Sequence, residues 1–205
     1  VDEETKKSLT VVKGNVEDSS FIDSKTKGHD VIFHLAALIG IPYSYEAPLS
    51  YVRTNIVGTV NILEAARKND TELVVNTSTS ETYGSALYTP IDELHPLQGQ
   101  SPYSASKISA DKLAESYYNS FKTPVLTIRP FNTFGPRQSS RAVIPTIISQ
   151  LLSQGELYLG DLSPIRDFTY VSDTVNGFIC AAKHHKHIGE VINLGYGEAS
   201  SIGET

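Results

Sequence analysis

Two short runs in this chain, "DVIFHLA" (30–36) and "ELVVNTST" (72–79), are apolar at successive positions rather than at every second one. A strand that is apolar on both sides has to be covered on both sides, and parallel sheets sandwiched between helices do this. "PVLTIRP" (124–130) reads the same way, and "LTVVKG" (9–14) is a further strand candidate. Helical segments lie between them. In "YVRTNIVGTVNILEAARK" (51–68), Val52, Ile56, Val60, Ile62, Leu63 and Ala66 form a broad apolar side. "YSASKISADKLAESYYNSF" (103–121) is a second helix, with Ser101 as its cap and Pro102 at its first position. Strands alternating with helices predict βαβ units and an α/β fold built on a parallel sheet.

The pattern changes after residue 136. "RAVIPTIISQLLSQG" reads as a helix, "ELYLG" as a short strand, "VSDTVNGFICAAKHH" as a helix and "EVINLG" as a return to the sheet. This predicts a main domain over 1–136 and, over 137–205, a smaller lobe whose chain crosses back to the main sheet.

Bulk properties narrow the function. A net charge of −6 argues against a nucleic-acid partner. No apolar run is long enough to span a bilayer, and the opening "VDEETKKSLT" is charged, unlike a secretory leader. Cys180 is the single cysteine, which suits a reducing, cytoplasmic setting. The chain has no methionine and ends on a strand followed by the barest start of a helix, so it reads as an internal piece of a longer protein.

In open parallel sheets ligands bind at the carboxyl ends of the strands. Four polar clusters fall at such ends: "GNVED", "HLAALIG", "STSETYG" and "RPFNTFGPRQ". Tyr103 and Lys107 are four apart on one helix and share a face. A free phenol ionises near pH ~10, too high for a general base at neutrality. A neighbouring ammonium is expected to lower that value and let the phenol take a proton from an alcohol.

Six motifs, in this order, carry a resemblance: "HLAA" (34–37), "STSETYG" (78–84), "SPYSASK" (101–107), "RPFNTFGPRQ" (129–138), "RDFTYVSD" (166–173) and "NLG" (193–195). Together they resemble the extended short-chain dehydrogenase/reductase family of nucleotide-sugar epimerases, dehydratases and decarboxylases. The resemblance implies a Rossmann-like domain that binds NAD and a smaller lobe that binds a nucleotide sugar. It also implies a homodimer packed through helices 51–68 and 103–121. One departure is plain. The family's glycine-rich pyrophosphate turn is not in this sequence, so the first βαβ unit is expected to be missing, along with part of the substrate lobe.

Residue roles follow from the resemblance. Asn15 and Val16 stand beside the adenine, with Asn15 in place of the usual aspartate. Leu35, Ala36 and Ala37 line the cofactor, although alanines there also suit close helix–strand packing. Thr77 and Asn55 join them; Asn55 either bridges helix and crevice or bonds backbone. Tyr103 and Lys107 are both catalytic and cofactor-binding. Arg166 is the phosphate-binding arginine and Asn132 binds the sugar or its phosphate. Arg141 is either a further phosphate contact or a solvated loop residue. Arg137 braces its loop and Asp167 orients its neighbours.

Glu81 separates the members of the family. Epimerases carry small residues at Thr79, Ser80 and Glu81, because moving a hydride off and onto one carbon needs no second base. The 4,6-dehydratases carry a glutamate. There Tyr103 would take the proton from the hydroxyl at sugar carbon 4, with Thr79 holding that oxygen. Glu81 would remove the proton from carbon 5, and water would leave from carbon 6 with Ser80 relaying a proton. Sugar decarboxylases share Thr-Ser-Glu, so a decarboxylase and a 4-epimerase stay open, as does a non-catalytic NAD-binding regulator. The stretches 41–55, 90–107 and 130–148 are similar to the UDP-N-acetylglucosamine 4,6-dehydratases of bacterial nonulosonic (legionaminic-type) acid synthesis. No metal is expected: His184, His185 and His187 have no acidic or cysteine partner in the sequence pattern, and His34 reads as a structural histidine.

Overall fold

The computed structural model describes residues 3–153 and 155–205. In chain order its elements are α1 (Glu3–Ser8), α2 (Ser19–Thr26), β1 (Val31–His34), α3 (Ile41–Glu46) and α4 (Pro48–Tyr51). Then come a π-helical stretch (Val52–Val57), α5 (Gly58–Lys68), β2 (Leu73–Thr77), α6 (Pro102–Phe121), β3 (Val125–Pro130) and β4 (Asn132–Phe134). The chain continues with α7 (Val143–Ser153), β5 (Ile165–Tyr170), α8 (Val171–Lys183), β6 (Val191–Leu194) and β7 (Ala199–Ser201).

Four strands pair in parallel in the order β1-β2-β3-β6, the Rossmann-like sheet that the buried runs predict. β2 shows why its sequence is apolar throughout. Val74 packs with Ile22, Ile62, Leu63 and Ala114 on one face, while Leu73 and Val75 pack with Leu126, Ile128 and Phe178 on the other. Leu63 and Leu73 are fully buried, so truncating either to alanine is expected to cost about 2–5 kcal/mol. A second sheet gathers β4, β5 and β7, with β4 parallel and β7 antiparallel to β5. β6 returns from this region to lie beside β3.

Two strand expectations are corrected. Residues 9–14 form no strand, and Leu9, Val11 and Val12 are exposed. Residues 156–160 form none either, and Tyr158 is tied to α7 through Gln150. Apolar residues favour a strand only where a neighbour takes up the backbone N–H and C=O groups, and neither segment has such a ladder among the described residues. The helix expected over 51–68 also differs, because its first part is wound as π-helix. There Asn55 turns inward and is buried, a placement in keeping with the habit of π-turns to mark functional positions.

Candidate active site

The turn that follows β2 is built to present its side chains. Thr79 caps a single 3-10 turn, Ser80–Thr82, accepting from the Glu81 amide at 3.2 Å. Gly84 closes the segment at φ 63°, where a Cβ would meet the Gln100 side chain at 2.8 Å. Ser80 and Glu81 are half-buried rather than solvated. Opposite them stands α6. Its start is fixed by a capping box between Ser101 and Ser104 and by Pro102 in the first turn. The buried face of α6 carries Tyr103, Lys107 and Asp111 at successive four-residue steps.

The Lys107 ammonium is buried and donates to the Thr77 carbonyl at 2.5 Å. Burial lowers its pKa, and the nearby Asp111 carboxylate opposes that. Tyr103 is buried, with its ring edge-on to Tyr51 at 6.2 Å between centroids. Burial pushes its phenol up to about 12. A hydrogen bond with Thr79 pulls the value down, while the charge of Glu81 pushes it further up. In the chain alone, desolvation thus outweighs any lowering by the ammonium; the further lowering expected from a positively charged nicotinamide belongs to the cofactor complex. The 3-10 turn packs against α6, and the Tyr103 phenol feels both Thr79 and Glu81.

The other expected residues are distributed as follows. Asn55 uses its amide fully, accepting from Leu38 N–H at 2.8 Å and donating to the Leu38 carbonyl and Ser106 Oγ, both at 2.9 Å. It therefore ties the loop after β1 to α6. Leu35 and Ala36 are exposed at the end of β1, and Ala37 is half-buried. Asn15 is exposed and accepts from the Glu17 amide at 3.0 Å, while Val16 packs under Gly58. Asn132 and Arg166 come together in a separate pocket of about 260 Å³, also lined by Leu159, Gly160 and Phe168. Arg141 is exposed and does not line that pocket. Asp167 accepts from the Tyr196 and Gly197 amides at 2.9 and 2.7 Å. His34 is buried and bonded to Thr59 Oγ1 at 3.0 Å.

A larger cavity, about 610 Å³, opens behind α6 between β3, β6 and residues 93–97. It holds none of the expected catalytic side chains. It touches Asp111 and Arg129, a buried ion pair at 3.0 Å that sequence reasoning passed over. The available signal was the position of Asp111, four residues past Lys107 on the same helical face.

A family model described as GDP-mannose 4,6 dehydratase matches residues 1–205. A dTDP-glucose 4,6-dehydratase of Streptomyces antibioticus is 34% identical over 190 residues, which are 92% of this chain and 56% of that protein. A solved double mutant of the dTDP-glucose 4,6-dehydratase from Streptomyces venezuelae, with NAD bound, superposes with a TM-score of 0.87 at 30% identity. That match covers 93% of this chain and 59% of the other. A UDP-N-acetylglucosamine 4-epimerase from Methanobrevibacter ruminantium, in complex with UDP-N-acetylmuramic acid, gives 0.91 at 32% identity. There the coverage is 98% of this chain and 66% of the other.

The chain belongs to the NAD-dependent epimerase/dehydratase family of extended short-chain dehydrogenase/reductases. It spans little more than half the length of the curated relative quoted above. Thr77 Oγ1 is buried without a hydrogen-bond partner among the described residues, at the end of β2 whose carbonyl holds Lys107. A hydroxyl left free there fits a cofactor that brings its own polar groups, and the family is NAD-dependent.

Proposed function

We propose that this protein acts as a 4,6-dehydratase on a nucleotide sugar, UDP-N-acetylglucosamine, giving a 4-keto-6-deoxy sugar. The observation that carries the reading is Glu81: a carboxylate on the turn after β2, near enough to Tyr103 for its charge to act on the phenol.

NAD, when bound, would supply the acceptor for the hydride of sugar carbon 4 and the donor of a hydride to carbon 6. The chain's residues handle the protons. Tyr103, as a phenolate held by the Lys107 ammonium, accepts the proton of the carbon 4 hydroxyl and becomes the neutral phenol, and Thr79 holds the oxygen. The ketone at carbon 4 acidifies the proton on carbon 5, and Glu81 removes it. The carbon 6 hydroxyl leaves as water, taking the proton from Glu81 through Ser80, and carbon 5 takes up a proton again when hydride adds at carbon 6. Leu35, Ala36, Ala37, Asn55 and Thr77 would line the cofactor, and Asn15 and Val16 would stand beside its adenine. Asn132 and Arg166 bind the sugar diphosphate, with Arg141 as an outer contact; the arginine fork suits phosphate oxygens.

The working unit in this reading is a cytoplasmic homodimer packed through helices 51–68 and 103–121. Exposed Val52 and Val57 on the first and Phe121 at the end of the second support it. The test is to incubate the protein with NAD and UDP-N-acetylglucosamine and identify the product by mass and NMR. A 4-keto-6-deoxy product is expected, and a 4-epimer would replace this reading. The 4-epimerase reading stands second, favoured by the likeness to the Methanobrevibacter ruminantium enzyme.

A further inference from the structure

Ser78 and Tyr83 bracket the four residues Thr79, Ser80, Glu81 and Thr82. Both are anchored on the same buried ion pair. Ser78 Oγ donates to Asp111 Oδ2 at 2.8 Å, and Arg129 Nε donates to the same oxygen at 3.0 Å. Arg129 Nη1 then donates to the Tyr83 hydroxyl at 2.9 Å, and that hydroxyl donates to Asn193 Oδ1 at 2.6 Å. Asp111 and Arg129 are 4% and 3% exposed, and Tyr83 is fully buried.

A buried ion pair is a weak source of stability, since apolar replacements of equal volume often do as well. What it supplies is direction. The guanidinium fork points Nε and Nη1 at two fixed acceptors, one on α6 and one on the turn.

We infer that the Asp111–Arg129 pair is a positioning device that clamps both ends of the Thr79–Thr82 segment to the helix carrying Tyr103 and Lys107. The inference rests on the reading that Thr79 and Glu81 act on the substrate, and it adds four residues that work through them. Ser78 and Tyr83 are the grips, Asp111 and Arg129 the fixed point. The clamp sets the separation of Glu81 from Tyr103. A misplacement of about 1 Å in such a pair can lower a rate as much as ~10²-fold.

Two single-oxygen deletions test it while leaving the ion pair in place: Ser78→Ala and Tyr83→Phe. Each keeps the packing of its side chain. Amide hydrogen exchange over residues 79–84 is expected to rise by at least ~10-fold in each variant, with exchange in α6 unchanged. The turnover number is expected to fall roughly 10–100-fold with the KM for the nucleotide sugar and the NAD affinity unchanged. A general loss of stability would speed exchange everywhere and would not divide the kinetic constants in this way. Unchanged exchange in the turn, or unchanged turnover in both variants, overturns the inference. The wild-type product is identified separately. A 4-epimer there removes the dehydratase reading, and the clamp is then judged on exchange and turnover alone, because Thr79 and Tyr103 serve that reaction too.

Discussion

Lys107 reaches back from α6 to the carbonyl of Thr77, the last residue of β2, across 2.5 Å. The ammonium thus ties the helix that carries Tyr103 to the strand end from which the Thr79–Thr82 turn leaves. Burial pushes the phenol of Tyr103, one helical turn earlier, up to about 12 in the chain alone, so the proposed base form relies on the positive charges of Lys107 and of a bound nicotinamide.

That shift has a consequence for stability. A group whose folded pKa lies above its unfolded value stabilises the fold below the unfolded value and loses that contribution as pH rises through the folded one. For Tyr103 the window runs from 10.0 to about 12, and the contribution is on the order of 2–3 kcal/mol. Tyr117, also pushed up to about 12, titrates in the same window, so the comparison has to be with the Tyr103→Phe variant. Urea melts on either side of pH ~10 should show a smaller alkaline loss in Tyr103→Phe than in the wild type. The same variant should turn over at least ~10²-fold more slowly, since the proposed general base is gone while the ring still packs.

His34 gives the opposite sign. Its burial holds the imidazole down from 6.5 to about 4, and the charge of Lys107 adds to this. A lowered folded value means stability that is present above 6.5 and lost as pH falls towards 4. The size is roughly 3 kcal/mol. His34→Gln keeps an amide within reach of Thr59 but does not titrate. Its stability should fall less than that of the wild type across this window. Equal acid losses in the two proteins would show that His34 is not the titrating group.

What the sequence made legible follows from periodicity and local chemistry. The four-residue spacing of Tyr103 and Lys107 put both on one helical face, and Ser101-Pro102 marked where that helix starts. The two-sided apolar character of 72–79 placed the "STSETYG" turn at a strand end. What it hid depends on contacts between distant segments. Arg129 is 18 residues from Asp111, and only the packing of β3 against α6 brings them together. Asn55 bonds Leu38 and Ser106, which are 17 and 51 positions away. In the chain alone the Tyr103 phenol is pushed up, because desolvation, invisible in a sequence, is the largest effect on it.

Arg166 lines the pocket shared with Asn132, Leu159 and Phe168, and among the described residues its Nη1 donates only to its neighbour's carbonyl, Ile165 O, at 2.8 Å. Its remaining guanidinium donors are available for phosphate oxygens. Arg166→Ala should raise the dissociation constant of the nucleotide sugar at least ~10-fold, since a charge-assisted hydrogen bond contributes about 1.5–3 kcal/mol. NAD affinity should be unchanged. Calorimetric titration of each ligand separately decides the point, and equal weakening of both would place Arg166 elsewhere in the machinery.

In the proposed dehydratase cycle, Glu81→Gln divides the reaction at its middle. Glutamine keeps the size and hydrogen bonding of the side chain but cannot accept the carbon 5 proton. Oxidation at carbon 4 depends on Tyr103, Lys107 and Thr79, none of which the substitution touches, although removing the Glu81 charge also removes one of the influences that raise the Tyr103 pKa. The first half-reaction should therefore proceed at least as readily as in the wild type. The second should stall, leaving a bound 4-keto sugar and the absorbance of reduced nicotinamide in single-turnover mixing. In deuterated solvent the carbon 5 position should stay protiated, with exchange slowed by at least ~10²-fold, the usual scale for losing a positioned base. If the variant incorporates deuterium at the wild-type rate, another group removes that proton. If it turns over fully and delivers a 4-epimer, Glu81 is a bystander and the epimerase reading holds.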